Sequence, residues 1–103
     1  MASERTMQNF ITNQNIGDGP VENLPGIGEK TGAKLRAAKY EKAAQVLGMY
    51  LALNCDAESF KAWLHEKSGA ASNIQRDCKN GVKGWAIMHL GMNLPDDEDD
   101  LEN

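Results

Sequence analysis

The run Asn23 to Leu35, NLPGIGEKTGAKL, holds the spacing with the clearest chemical use. Gly26 and Gly28 permit positive φ and bare backbone, Pro25 stiffens the approach, and Leu24 and Ile27 direct apolar weight inward. From Gly28 the chain is expected to be helical, so N–H groups without intrahelical partners point outward at the positive end of a helix dipole. Such a turn can hold a phosphate oxygen with backbone amides alone, and a Cβ at either glycine would keep the ligand's own backbone at a distance. Lys30 and Lys34, four apart on the helix just begun, add positive charge beside it. A nucleotide loop of the Rossmann type is disfavoured, because no strand precedes the glycines and no third glycine completes the fingerprint.

Other residues capable of chemistry lack partners at useful spacing. His65 has no second histidine or carboxylate placed to share a metal, His89 lies near a helix end, and Asp56 with Glu58 is explained by helix capping rather than acid–base work. Cys55 and Cys78 are too few for a zinc site built on cysteine and read as reduced intracellular thiols. No nucleophile–base pair is present, so an enzyme is not expected, and neither a metal nor a cofactor is implied. Neither a signal peptide nor an apolar run of about 18 residues appears.

Charge is unevenly placed. The 103 residues carry a formal −4, yet six of the 15 acids lie in DDEDDLE, Asp96 to Glu102, which holds no base. Residues 1–95 therefore set 11 bases against nine acids, a balance of +2. Residues 1–92 are expected to form one domain, and 93–103, opened by Pro95 and the charge run, a disordered acidic tail.

The elements that must position these residues read as five helices and no strand, an all-α fold. Ser3 can cap a first helix with Met7, Phe10 and Ile11 on one face, and the turn formers Asn13 to Pro20 end it. The second helix is expected from about Gly28 to Ala38. The third, EKAAQVLGMYLALN, is apolar nearly all round, which calls for burial on two sides, and Gly48 in its middle would let another backbone approach. Asp56 caps the fourth, with Phe60, Trp63 and Leu64 as its inner stripe. Ser72 is expected to cap the fifth, where Ile74, Cys78, Val82 and Trp85 recur every three or four residues. Gly81 and Gly84 each weaken that helix by roughly 1 kcal/mol relative to alanine, a sign of close backbone packing.

Placed at a helix mouth, the pattern Leu24, Gly26, Ile27, Gly28, Ala33, Leu35 resembles the helix-hairpin-helix motif, which grips the DNA backbone without reading bases. The succession PVENLPGIGEKTGAKL, VLGMYLAL, FKAWLHEKSGA, RDC and Trp85 resembles the barrier-to-autointegration factor family from about Phe10 to Leu90, with one insertion between Phe10 and Gly17. That resemblance implies a compact five-helix protein, a symmetric homodimer, and binding of double-stranded DNA without sequence preference. Each protomer would present one DNA site opposite its partner's, so that the dimer bridges two duplexes. It implies a place in the nucleus, at chromatin and the nuclear envelope with its LEM-domain proteins, and the cytoplasm as a second compartment. Position by position, it assigns DNA contact to Gly26, Ile27, Gly28, Lys30, Lys34, Ser72, Asn73 and Arg76. The dimer contact is expected at Val46, Leu47, Gly48, Leu51, Trp63 and Trp85.

The chain departs from the family at several of these places. Asn73 stands where the family has a lysine, and the basic segment around Thr6 and Met7 is lost. Each phosphate contact removed lowers the salt slope by about 0.9. Asn54 and Cys55 replace a lysine pair, and Ser59 replaces an apolar residue near the groove for LEM-domain proteins. Two other readings stay open: a divergent paralogue acting as a protein adaptor or heterodimeric modulator, and a hairpin module of DNA repair machinery.

The charge division yields a direct test. Deleting residues 95–103 takes each chain from −4 to +2, and faster, tighter association with duplex DNA is expected at low ionic strength. A tail acting only at a distance loses this gain near physiological salt, where the Debye length is about 8 Å. A tail docked on the Lys34 and Arg76 face as a mimic of DNA keeps it. Titrations at two salt concentrations separate the two.

Overall fold

The computed structural model describes residues 4–13, 16 and 18–97. Within them run α1 (Glu4–Thr12), a one-turn 3-10 helix (Val21–Asn23), α2 (Glu29–Ala37), α3 (Ala43–Ala52), α4 (Ala57–Ser68) and α5 (Ser72–Leu90). The all-α expectation holds for these residues, whose nearest approach to sheet is an isolated bridge between Pro20 and Lys42. That bridge, with Val21 N–H on the Glu41 carbonyl and Ala43 N–H on that of Gly19, ties the entrance of the hairpin to the start of α3. The 3-10 turn was not foreseen. Ser3, expected to cap α1, lies outside the described residues.

Local chemistry sets most boundaries. The Gln45 side chain reaches back to the amides of Glu41 and Lys42 and fixes the start of α3. Asn54 and Cys55, both at positive φ, turn the chain sharply after it. Asp56 then caps α4 by accepting from the Ser59 N–H at 2.9 Å, as expected, and hydrogen bonds from the Ser59 side chain and N–H hold its carboxyl below the usual carboxylate range. Gly69 and Gly91, both left-handed, close α4 and α5. One cap differs from expectation: Ala71 stands at the N-cap of α5, and Ser72 is its first helical residue.

α5 is the spine on which the other elements lie. At Gly81 a Cβ would sit 2.7 Å from Pro25 Cδ, and at Gly84 one would sit 2.6 Å from Ile11 Cδ1. The two glycines thus admit Pro25 and α1 of the same chain. Trp85 donates its indole N–H to the Asn13 carbonyl at 2.8 Å, and His89 bonds the Ile11 carbonyl at 2.7 Å, pinning the end of α1. On the other flank, Tyr50 of α3 meets Phe60 of α4 edge-on, and Trp63 meets Tyr40 in the same way. Cys78 is enclosed at the centre, and burial drives its thiol well above the ordinary range; burial raises Cys55 too.

After Gly91 the chain turns back along α5. Leu94 packs on the core, and Asp97 Oδ2 meets Lys79 Nζ at 2.9 Å and Lys83 Nζ at 3.1 Å. Residues 93–97, assigned from sequence to the tail, are therefore held against the body.

The groove predicts an inverted response at Gly81. Gly81→Ala gains about 1 kcal/mol of helix propensity but presses a methyl into the rigid ring of Pro25, at a cost of about 1 to 3 kcal/mol. A lower urea midpoint than the parent's is the expected result.

Candidate nucleic-acid interface

The hairpin is built from buried side chains and bare backbone. Leu24, Pro25 and Ile27 are buried, and Ile27 N–H closes the turn on the Leu24 carbonyl at 3.1 Å. Gly26 has φ +82°, and a Cβ there would stand 3.0 Å from Asp77 Cβ and 3.4 Å from the Ile74 carbonyl oxygen. The fold itself demands glycine at that point. Gly28 is different. Its φ of −96° and ψ of −166° suit any residue, and nothing lies within 4 Å of where its Cβ would be. As the N-cap of α2 it offers no side-chain oxygen to the amides of the first turn. No packing or backbone requirement explains this glycine.

The cations and hydroxyl expected at this mouth lie on α2 and the first turns of α5. Lys30 and Lys34 are exposed on α2, and Lys34 Nζ lies 3.7 Å from the position of a Gly69 Cβ, beside the junction of α4 and α5. Ser72 is exposed at the first position of α5, Asn73 half-buried at the second. Arg76, one turn further, sets Nη2 3.4 Å from Asp77 Oδ1, and Asp77 is the residue packed behind Gly26. Residues far apart in sequence are thus brought to one side of the molecule by the seating of the hairpin on α5. Glu29, exposed at the first position of α2, favours the dipole but competes with any anion there.

The expected dimer residues divide in two. Val46 is wholly enclosed, Leu47 is buried, and Trp85 is engaged with Asn13 and His89, so these three belong to the protomer's own core. Gly48 is exposed with open space around it, and Leu51 and Trp63 are half-buried.

One device escaped the sequence reading. Arg36 forks onto Glu22, donating Nε–H to Oε2 at 3.0 Å and Nη2–H to Oε1. The Glu22 side chain crosses Gly32, where a Cβ would lie 2.8 Å from Glu22 Cδ. The pair locks the 3-10 turn to α2, holds the Glu22 carboxyl below its usual range and commits Arg36 away from the mouth. A lone glycine inside the α2 pattern was the available signal. Among the described residues no group of three His, Cys, Asp or Glu could hold a metal, and no helix is long and apolar enough to cross a membrane.

Comparison with known proteins shows the family. The family model described as barrier to autointegration factor matches residues 1–89. The human barrier-to-autointegration factor is 35% identical over 90 residues, covering 87% of this chain and all of that protein. The Drosophila melanogaster protein of the same name is 40% identical over 83 residues, 81% of this chain and 91% of its own. Barrier-to-autointegration factor A of Xenopus laevis is 39% identical over 75 residues, 73% and 83% of the two chains.

The two glycines separate fold from binding. Gly28→Glu places a carboxylate at the helix mouth with its Cβ in open space, so the unfolding midpoint is expected to stay near the parent's while duplex binding falls at least tenfold at low salt. Gly26→Ala, strained by its φ, is expected to lose stability by about 1 kcal/mol or more. Paired denaturation and fluorescence-anisotropy titrations read both.

Proposed function

The chain belongs to the barrier-to-autointegration factor family, and from that premise we propose that it grips the phosphates of double-stranded DNA without reading sequence, and that as a homodimer it bridges two duplexes. The carrying observation is Gly28, a bare N-cap that nothing in the fold requires. A phosphate oxygen at the mouth of α2 would receive the N–H groups of the first turn, with Lys30 and Lys34 on one flank and Ser72, Asn73 and Arg76 on the other. Ile27, buried beneath, holds the turn in shape. Backbone donors, lysines and an arginine directed at phosphates suit a sequence-independent grip, because contacts to the backbone carry no sequence information.

The dimer would close through the exposed side of α3, at Gly48, Leu51 and Trp63, with Val46 and Leu47 supporting it from below. Two such sites on one body convert a modest phosphate grip into a bivalent one, whose avidity exceeds either site by orders of magnitude. Binding and assembly, not catalysis, is the activity this reading assigns. Chromatin and the nuclear envelope are its setting, and LEM-domain proteins are candidate partners there. The second reading, an adaptor that keeps the dimer with weakened DNA binding, draws on Asn73 and on Asn54 and Cys55, where the chain departs from the family.

Two unrelated duplexes titrated across salt test the proposal. Equal affinities that fall linearly with log salt are expected, as is a second duplex captured per dimer in a bead-tethered assay. Gly48→Glu, which would put a carboxylate into the apolar contact, is expected to halve the mass by light scattering and abolish capture while single-duplex binding persists. Duplex binding absent at low salt would hand the function to the adaptor reading.

A further inference from the structure

The family match ends at residue 89, and the first part of the chain beyond it is not a loose appendage. Gly91 reverses the chain at φ +65°, Leu94 packs against the core, and Asp97 lies between the amines of Lys79 and Lys83. The distances are self-consistent. From Leu90 back to Lys79 along the helix is about 17 Å, and the extended run from Gly91 to Asp97 spans about 20 Å. Asp97 thus reaches the level of these lysines because the segment runs antiparallel to α5. The side chain of Lys79 has no exposed surface and that of Lys83 has 7%. Cations so far from water require charge compensation.

Those two lysines share a face with a third cation. Arg76, Lys79 and Lys83 stand at i, i+3 and i+7 of α5, within about 60° of arc. Arg76 is a third exposed and pairs with Asp77, the residue packed behind Gly26. The basic face therefore begins at the proposed phosphate site and continues under the carboxylate of Asp97.

We propose that the segment 91–97 is an intramolecular strap that occupies a second phosphate track, the Lys79–Lys83 stretch of α5, and that duplex DNA competes with Asp97 for it. This inference rests on the DNA-binding reading and goes beyond it, since it assigns Lys79 and Lys83 to the duplex and a regulating role to the carboxyl-terminal addition. Asp97 presents to the lysines the same chemistry as a phosphodiester, an anionic oxygen between two ammonium groups. Leu94 keeps that oxygen at high local concentration. DNA must displace it, so the strap lowers affinity and flattens the salt dependence of the closed form, with one carboxylate already set between the two lysines.

The test compares Asp97→Asn with Asp96→Asn in the full chain. Both remove one formal charge, but Asp96 is exposed, whereas Asp97 carries the bonds to the lysines. Asp97→Asn is expected to steepen the slope of log affinity against log salt by about 0.9 for each lysine freed. Between 50 and 200 mM salt its affinity then falls roughly 3.5-fold further than the parent's for one lysine and roughly 12-fold for two. Asp96→Asn is expected to track the parent. Acetylation mapped by mass spectrometry, without DNA, gives the second readout. Lys79 and Lys83 are expected to react more slowly than Lys30 and Lys34 in the parent and in Asp96→Asn, and faster in Asp97→Asn. Equal salt slopes for the two variants, or lysines still shielded in folded Asp97→Asn, overturn the strap and leave the hairpin reading intact. Failure of every form to bind duplex at low salt overturns the DNA-binding reading itself, and the strap's proposed ligand falls with it.

Discussion

The close approach permitted by the two glycines in the middle of α5 is the constraint on which the remaining structure depends. A helix carrying Gly81 and Gly84 gives up propensity in order to present a flat strip of backbone. Pro25 rests on one part of that strip and Ile11 on the next. The hairpin therefore has one place to sit, with Gly26 against Ile74 and Asp77. The same strip brings α1 close enough for Trp85 and His89 to take its last carbonyls. Placement of the proposed phosphate site is thus a packing result, fixed by apolar contact and sterics, with charge added at the rim.

That arrangement explains how a chain of net negative charge can offer an anion site. Backbone amides need no ionised side chain, and their field is local to one helix end. The acids of Asp96 to Glu102 lie in the carboxyl-terminal stretch, where they bear on long-range attraction and, through Asp97, on one face of α5. Arg36, by contrast, is a cation in name only as far as a ligand is concerned, because Glu22 already holds it.

What could be read from the sequence was what depends on near neighbours. Helical periodicity placed five helices, the Asp56 cap, and the glycine hairpin at the mouth of α2, since each is decided within a turn or two of chain. Ser72 looked like a cap because its residue type favours that role; the structure places Ala71 there, with no side chain to cap the helix. The misses share a cause of another kind. Glu22 and Arg36 are 14 residues apart, Lys79 and Asp97 are 18, and Trp85 and Asn13 are 72. No local pattern marks such pairs, which exist only once the elements have packed. Val46 and Trp85 illustrate the same limit: their apolar character announced burial, but not whether the protomer or a partner would supply it.

Gly26 and Gly28 stand two residues apart and answer to different demands, one to backbone strain and packing, the other to open space before a helix. For a lineage under drift this is an asymmetric inheritance. A replacement at Gly26 disturbs the folded state and is removed whatever the protein is used for. A replacement at Gly28 meets nothing at its Cβ position and, on the proposed DNA-binding role, is removed only while duplex is being held. The second glycine therefore serves as a record of use: in descendants released from that task it should be lost first, leaving an intact scaffold behind.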